Sequence, residues 1–172
     1  FKVFEFYLRK GSRIILDSIY IFKAEKDCWK CGTNIPVYAL GDIKAGYKEY
    51  EDDDVTAFWD APSEIPTLLQ GVTYLPTYFT DHISKPMPYF GLNWSNTTRS
   101  KYWSNKCSCC GNIQGDFFLF GLNEDAPFTP FTIADAENIM VKRIPLKHGM
   151  LVDADSCWRS CDEMLFDHAT HF

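Results

Sequence analysis

Apolar and polar residues alternate with a period of two over residues 2–8, KVFEFYL, which puts successive side chains on opposite faces and predicts a strand. KGS at 10–12 is a turn signal, and RIILDSIYIFKA at 13–24 returns as a second strand, rich in Ile and aromatics. Residues 35–43, IPVYALGDI, predict a third strand. APSEIPTLLQGV, 61–72, predicts a short helix with Ser63 as its N-cap and Gly71 as its stop. Residues 85–107 predict irregular chain with short strands, and GDFFLFGL, 115–122, predicts a strand. A proline-punctuated loop at 123–131 precedes a short helix over 132–140 and a short strand, VKRIPL, over 141–146. The tail, 153–172, shows helical spacing after an acidic opening that includes Ser156. The pattern as a whole predicts an α+β fold: an antiparallel β-sheet with a few short helices, one of them C-terminal.

Two cysteine phrases interrupt this pattern where strands end. CWKCG carries Cys28 and Cys31, and KCSCCG carries Cys107, Cys109 and Cys110. Thiolates separated by two residues let the chain turn tightly, so that both sulfurs reach one ion at about 2.3 Å. A glycine directly after the second cysteine eases the positive φ of such a turn. Cys28 and Cys31 with Gly32 fit, and so do Cys107 and Cys110 with Gly111, which leaves Cys109 spare. The alternative, two metal-free redox pairs, would place a C-x-x-C at the start of a helix. Here both pairs are flanked by strand-like segments, so the expectation is one split four-cysteine zinc ribbon, with one structural Zn2+ per chain. Four thiolates fill the coordination sphere and leave no place for an activated water. The 75 residues between Cys31 and Cys107 make closure costly, but that cost grows only logarithmically with length. Structural zinc contributes about 10–16 kcal/mol in finger peptides.

Composition narrows the function classes. The net charge of −6, from 23 acidic and 17 basic residues, repels phosphate backbones at long range and suits a basic partner. No apolar run approaches 18 residues, so no membrane span is expected. Seven cysteines, four of them in C-x2-C pairs, argue for metal in a reducing compartment, most simply the cytoplasm, rather than for a disulfide framework. The charged, alternating opening is not read as a secretory signal, and a first residue of Phe leaves room for residues before it.

The phrases CWKCG and YWSNKCSCCGNIQGDFFL resemble a group of poorly characterised bacterial zinc-ribbon proteins. Their pattern is C-x2-C, a long insertion, then aromatic–x–Asn–x–C-x2-C-G followed by Gln-Gly-Asp and aromatics. The resemblance covers about 28–119 and implies zinc binding by Cys28, Cys31, Cys107 and Cys110, with no established enzymatic activity. The length of 172 residues suits one domain over 1–172, with a ribbon portion at about 24–122 and a C-terminal α/β extension at about 123–172, the latter outside the resemblance. Within QGD, Gly115 permits a bend, while Gln114 or Asp116 satisfies backbone groups near the knuckle.

Other chemistry-bearing residues read more plainly. Cys157, Cys161, His168 and His171 share one helical stripe, but 14 residues of helix span about 21 Å, too far for one ion. The stripe is therefore read as a core-facing helix with small apolar cysteines. His82 and His148 are isolated, and no nucleophile-elbow, zinc-protease, P-loop or dinucleotide motif is present. The acidic run Glu51, Asp52, Asp53 and Asp54 is a solvated loop or, functionally, a contact patch for a basic protein. Arg99, Lys101 and Lys106 interleave with Tyr102 and Trp103, a patch that would grip phosphate and stack bases. Three function classes follow. The first is a non-enzymatic zinc protein that binds a protein, in the manner of an immunity protein covering a basic nuclease toxin. The second is a nucleic-acid-binding zinc ribbon. The third is an enzyme whose site the sequence does not advertise, for which Cys109 is the conceivable nucleophile.

Overall fold

Strands dominate because the apolar segments bury both of their faces. The structure, a computed structural model, describes residues 13–43, 45–48, 58–59, 66–122, 125–156 and 159–172. The strand expected at 2–8, the turn at 10–12, the acidic run Glu51–Asp54, Ser63 and Cys157 lie outside these residues.

In chain order the elements are β1 (Arg13–Asp27), β2 (Asn34–Asp42), β3 (Ala45–Lys48), β4 (Phe58–Trp59), β5 (Thr67–Tyr74), α1 (Thr77–Ser84), β6 (Phe90–Ser95), β7 (Ser100–Lys106), β8 (Ile113–Gln114), α2 (Asp116–Phe120), α3 (Ile133–Glu137), β9 (Met140–Ser156), α4 (Ser160–His168) and β10 (Thr170–His171). Seven strands form the main sheet in the order β10-β9-β5-β2-β1-β3-β4, with β9 also pairing β1. The pairings β1–β2, β2–β5, β5–β9 and β9–β1 are all antiparallel and close a circuit, which removes free edges from these four strands. The second sheet is the small antiparallel set β6-β7-β8. The fold is α+β, with four short helices among the described residues, the last at the C-terminal end.

Neighbouring residues of a strand point to opposite faces, and here both faces are covered. In β1, Ile19 and Ile21 join a core with Leu40, Leu69, Phe79, Ile83, Met150 and Val152. Phe22 and Ala24 join a second core with Val37, Leu68, Leu119, Phe128, Val141 and Leu165. The near-continuous apolar run of β1 is the sequence signature of that double burial. On α1, Phe79 and Ile83 are four residues apart and both buried, the spacing of one helix face.

Two elements differ from the sequence expectation. The helix predicted over 61–72 is replaced, at 67–74, by β5. Leu68 and Leu69 enter opposite cores, which only an extended chain allows. Gly71, with φ +55°, marks an irregularity between Gln70 and Tyr74 rather than a helix stop. The strand predicted over 115–122 is instead α2, in which Leu119 and Phe120 are buried while Phe117 faces water. Such a short apolar run does not distinguish strand from helix by itself. VKRIPL lies inside the much longer β9, and Pro145 is opposite Ser18, next to the register shift in β1. Proline is tolerated in a strand at such an irregularity.

Candidate functional site

Each cysteine pair closes a turn by the same hydrogen bonds. In the first, between β1 and β2, the Cys28 amide donates to Thr33 O (2.9 Å) and the Gly32 amide to Cys28 O (2.9 Å). In the second, between β7 and β8, the Cys107 amide donates to Asn112 O (2.9 Å) and the Gly111 amide to Cys107 O (3.0 Å). Gly32 and Gly111 adopt φ +72° and +70°, a left-handed conformation that costs residues with a Cβ roughly 1 kcal/mol or more. Amides also point at the sulfurs: Lys30 N lies 3.4 Å from Cys28 Sγ, and Cys109 N and Cys110 N lie 3.4 and 3.5 Å from Cys107 Sγ.

The two turns face each other and bring Cys28, Cys31, Cys107 and Cys110 together, with all four sulfurs within 4.8 Å of one another. The Cys28–Cys110 and Cys31–Cys107 sulfur separations are both 3.7 Å. A tetrahedron of sulfurs about 2.3 Å from a central ion has edges of about 3.8 Å, so the set fits a metal. It is too open for disulfides, whose sulfurs are about 2.05 Å apart. Hydrogen bonding with the Thr33 hydroxyl and amide pulls the Cys31 thiol down to about 6. The amide and side chain of Asn112 lower Cys110. At Cys107 the Cys110 amide favours the thiolate, but burial and donation of the Cys107 proton to the Cys31 and Cys28 sulfurs outweigh it and push the thiol up to about 11. A bound cation would hold all four as thiolates.

Around the sulfurs lies a shell that sequence reading only partly anticipated. Gln114 is fully buried. Its Nε2 donates to Cys28 Sγ (3.3 Å) and to Asn112 O (3.1 Å), and its Oε1 accepts from the Trp29 amide (3.3 Å). Trp29 Nε1 donates to Ile113 O (2.7 Å), so each turn also grips the other outside the metal set. Asn105, the asparagine of the aromatic–x–Asn–x–Cys phrase, has a role that the sequence did not reveal. Its Nδ2 donates to Tyr38 O and its Oδ1 accepts from Tyr38 N, both at 2.8 Å, as a neighbouring peptide group would. This side chain bridges β7 of the small sheet to β2 of the main sheet. Asp116 serves a backbone group as expected, but one on β5: its Oδ2 accepts from Gly71 N at 2.7 Å.

The other predicted site residues scatter. Cys109 is exposed beside the sulfur set, and Cys161 lies half-buried on α4, its thiol pushed up by burial. His82, His168 and His171 lie on the surface, apart from the sulfur set. Arg99 and Lys101 are exposed around the β6–β7 turn. Tyr102 is buried, and Trp103 packs against the first core; a buried Tyr102 offers no free ring for stacking a base.

Between the two sheets, directly beside the cysteine turns, opens a cleft of about 900 Å³. Gly71, Thr73 and Asp155 of the main sheet form one side, and Thr98, Ser100 and Tyr102 form the opposite one. Trp29, Phe117 and Phe118 supply an aromatic end wall. The Trp29 and Phe118 rings stack with centroids 5.5 Å apart and planes 6° from parallel. Asp116 lies in the cleft, where burial, with a smaller contribution from Asp155, raises its carboxyl to about 6 against the Gly71 hydrogen bond. Neither Cys109 nor any histidine lines the cleft.

No known protein family, curated protein or solved structure matches this chain.

Proposed function

We propose that the chain is a non-enzymatic zinc protein that binds another protein, with the ion serving as a structural clasp. The observation that carries the reading is the convergence of Cys28, Cys31, Cys107 and Cys110 within 4.8 Å. Zinc is the ion this donor set favours, because four soft thiolates in a tetrahedral arrangement suit it and complete its coordination. With no position left for water, the ion would contribute folding free energy and hold the β1–β2 turn against the β7–β8 turn.

Protein binding is supported by two surface properties. The net charge of −6 favours encounter with a basic partner. Trp29, Tyr78, Tyr89, Trp94 and Phe117 are large aromatics left exposed, the residue types enriched in binding surfaces. A basic nuclease neutralised by an immunity-type protein is a setting that fits this charge. Elemental analysis of the purified chain is expected to give one zinc per chain. Cobalt replacement is expected to give the intense sulfur-to-metal absorption of a tetrathiolate site. Affinity capture from host lysate is expected to retain a basic protein that is released by raised salt. Absence of metal, or cross-linked thiols, would remove the clasp; absence of a salt-sensitive protein would remove the binding role.

A further inference from the structure

We infer that the cleft between the two sheets receives an arginine side chain presented by the protein partner, with Asp116 and Asp155 as its counter-charges and the aromatic wall as its stacking surface. The inference rests on the protein-binding reading and specifies what that partner must offer.

The carboxylates are the first observation. Both converge on Gly71: its amide donates to Asp116, and a Cβ built there would lie 2.9 Å from Asp155 Oδ2. Only a residue without a side chain, at φ +55°, lets the two acids approach one strand position in this way. Neither acid has an ion-pair partner among the described residues. No lysine, arginine or histidine is among the described residues that line the cleft. Crowding two like charges in a half-enclosed space opposes folding, and an incoming cation would relieve that repulsion. An anionic ligand meets the opposite situation and is disfavoured.

The wall is the second observation. Phe117 is 75% exposed and packs edge-on against Phe118, with centroids 5.5 Å apart and planes at 81°. The Trp29 indole already has the Lys30 ammonium 5.9 Å from its centroid, so Phe117 is the ring with the most open surface. Guanidinium matches this combination better than ammonium does. It is planar and weakly hydrated, stacks on aromatic faces, and forks onto carboxylates, while its aliphatic stem can lie along apolar wall. The hydroxyls of Thr73, Thr97, Thr98 and Ser100 around the cleft suit the peptide groups flanking such a side chain. The volume admits the side chain together with its neighbours.

The test uses the full zinc-loaded chain and three capped tripeptides, acetyl-Gly-X-Gly-amide with X as arginine, lysine or the neutral isostere citrulline, followed by NMR. The arginine peptide is expected to shift the Trp29 indole, the Gly71 amide and the Asp155 amide. Its affinity should exceed that of the citrulline peptide by about tenfold or more, and that of the lysine peptide by a smaller factor. Asp155→Asn, an exposed position, should fold normally and weaken arginine binding about fivefold or more. Binding should also weaken from pH 7.5 to pH 5, because Asp116, at about 6, becomes neutral there. The groups facing Asp116 are Asp155 on β9, Tyr102 on β7 and the Gly71 amide on β5. Equal binding of the citrulline peptide, indifference to Asp155→Asn, or shifts confined to the β6–β7 turn would overturn the assignment. So would a mononucleotide that moves the cleft signals when the arginine peptide does not. A cobalt spectrum recorded on a cobalt-substituted portion of the same preparation separates the two readings: a tetrathiolate band without arginine selectivity in the zinc form sinks the cleft assignment and leaves the clasp intact. A captured basic partner that Asp155→Asn retains undiminished sinks the cleft assignment and leaves protein binding intact.

Discussion

Asp116 illustrates how one side chain can oppose stability while equipping a site. Its folded value of about 6 stands above the ordinary 3.8. The folded state therefore prefers the neutral acid, and its contribution is fully present below about pH 4 and lost as pH rises through about 6. Asp116→Asn keeps a carbonyl oxygen to accept from Gly71 and removes the charge. At pH 8 this variant should be more stable than the parent by ~1–3 kcal/mol, with the advantage shrinking towards pH 4. Urea melts at several pH values read this directly, and a variant destabilised at pH 8 would contradict the burial argument. Gln114 acts on the sulfur set in the opposite sense, because it donates to Cys28 Sγ and orients the Trp29 amide. Outer-shell groups of this kind typically contribute 10–100-fold to metal affinity. Gln114→Leu should lose about tenfold or more in a chelator competition, while Gln114→Glu, which lacks the donor to sulfur, should not restore it.

At the scale of elements, two polar contacts dock pieces that apolar packing alone would leave loosely oriented. Arg159, at the start of α4, donates to Phe120 O (3.1 Å), Thr129 Oγ1 (3.0 Å), Phe128 O (2.9 Å) and Asp162 Oδ1 (2.6 Å). Asp162 is fully buried, and its other oxygen accepts from Leu68 N on β5 (3.2 Å). The pair fixes α4 against both the segment following α2 and the main sheet. Removing only the cation strands a buried carboxylate, so Arg159→Met should cost about 3–5 kcal/mol in denaturant unfolding. The double variant with Asp162→Asn should recover much of that. Asn105 is the corresponding bridge between β7 and β2. Asn105→Leu leaves both Tyr38 backbone groups unpaired in a buried place, at about 1–3 kcal/mol each. The expected readout is a lowered melting temperature together with weaker metal retention, since both cysteine turns lie at the ends of the strands it joins.

For the whole molecule, the two facing cysteine turns are one place where the two sheets meet. The main sheet closes a circuit of four strands with cores on both faces, whereas the small sheet has only three strands, β8 being two residues long. Metal removal should therefore act unequally. With chelator under reducing conditions, amide exchange in β6–β8 should accelerate by orders of magnitude while β1 and β9 stay protected. Uniform loss of protection would show that the clasp supports the entire fold. Because the cleft lies between the sheets beside the clasp, the arginine peptide should lose its affinity in the same sample.

The cysteine turns were legible in the sequence because their chemistry is local: two thiolates three positions apart, then a glycine that tolerates positive φ. The long apolar run of β1, the shorter α3 and the C-terminal α4 were legible for the same reason, since each is set by periodicity or capping within a few residues. The fates of 67–74 and 116–120 were not, because a short apolar run becomes strand or helix according to which surfaces it must cover. The sheet circuit, the backbone-like grip of Asn105 on Tyr38 and the meeting of Asp116 with Asp155 at Gly71 join residues far apart in the chain. Local residue types encode what each segment can do; only long-range pairing in three dimensions selects which distant groups share a surface, and the cleft exists by that selection.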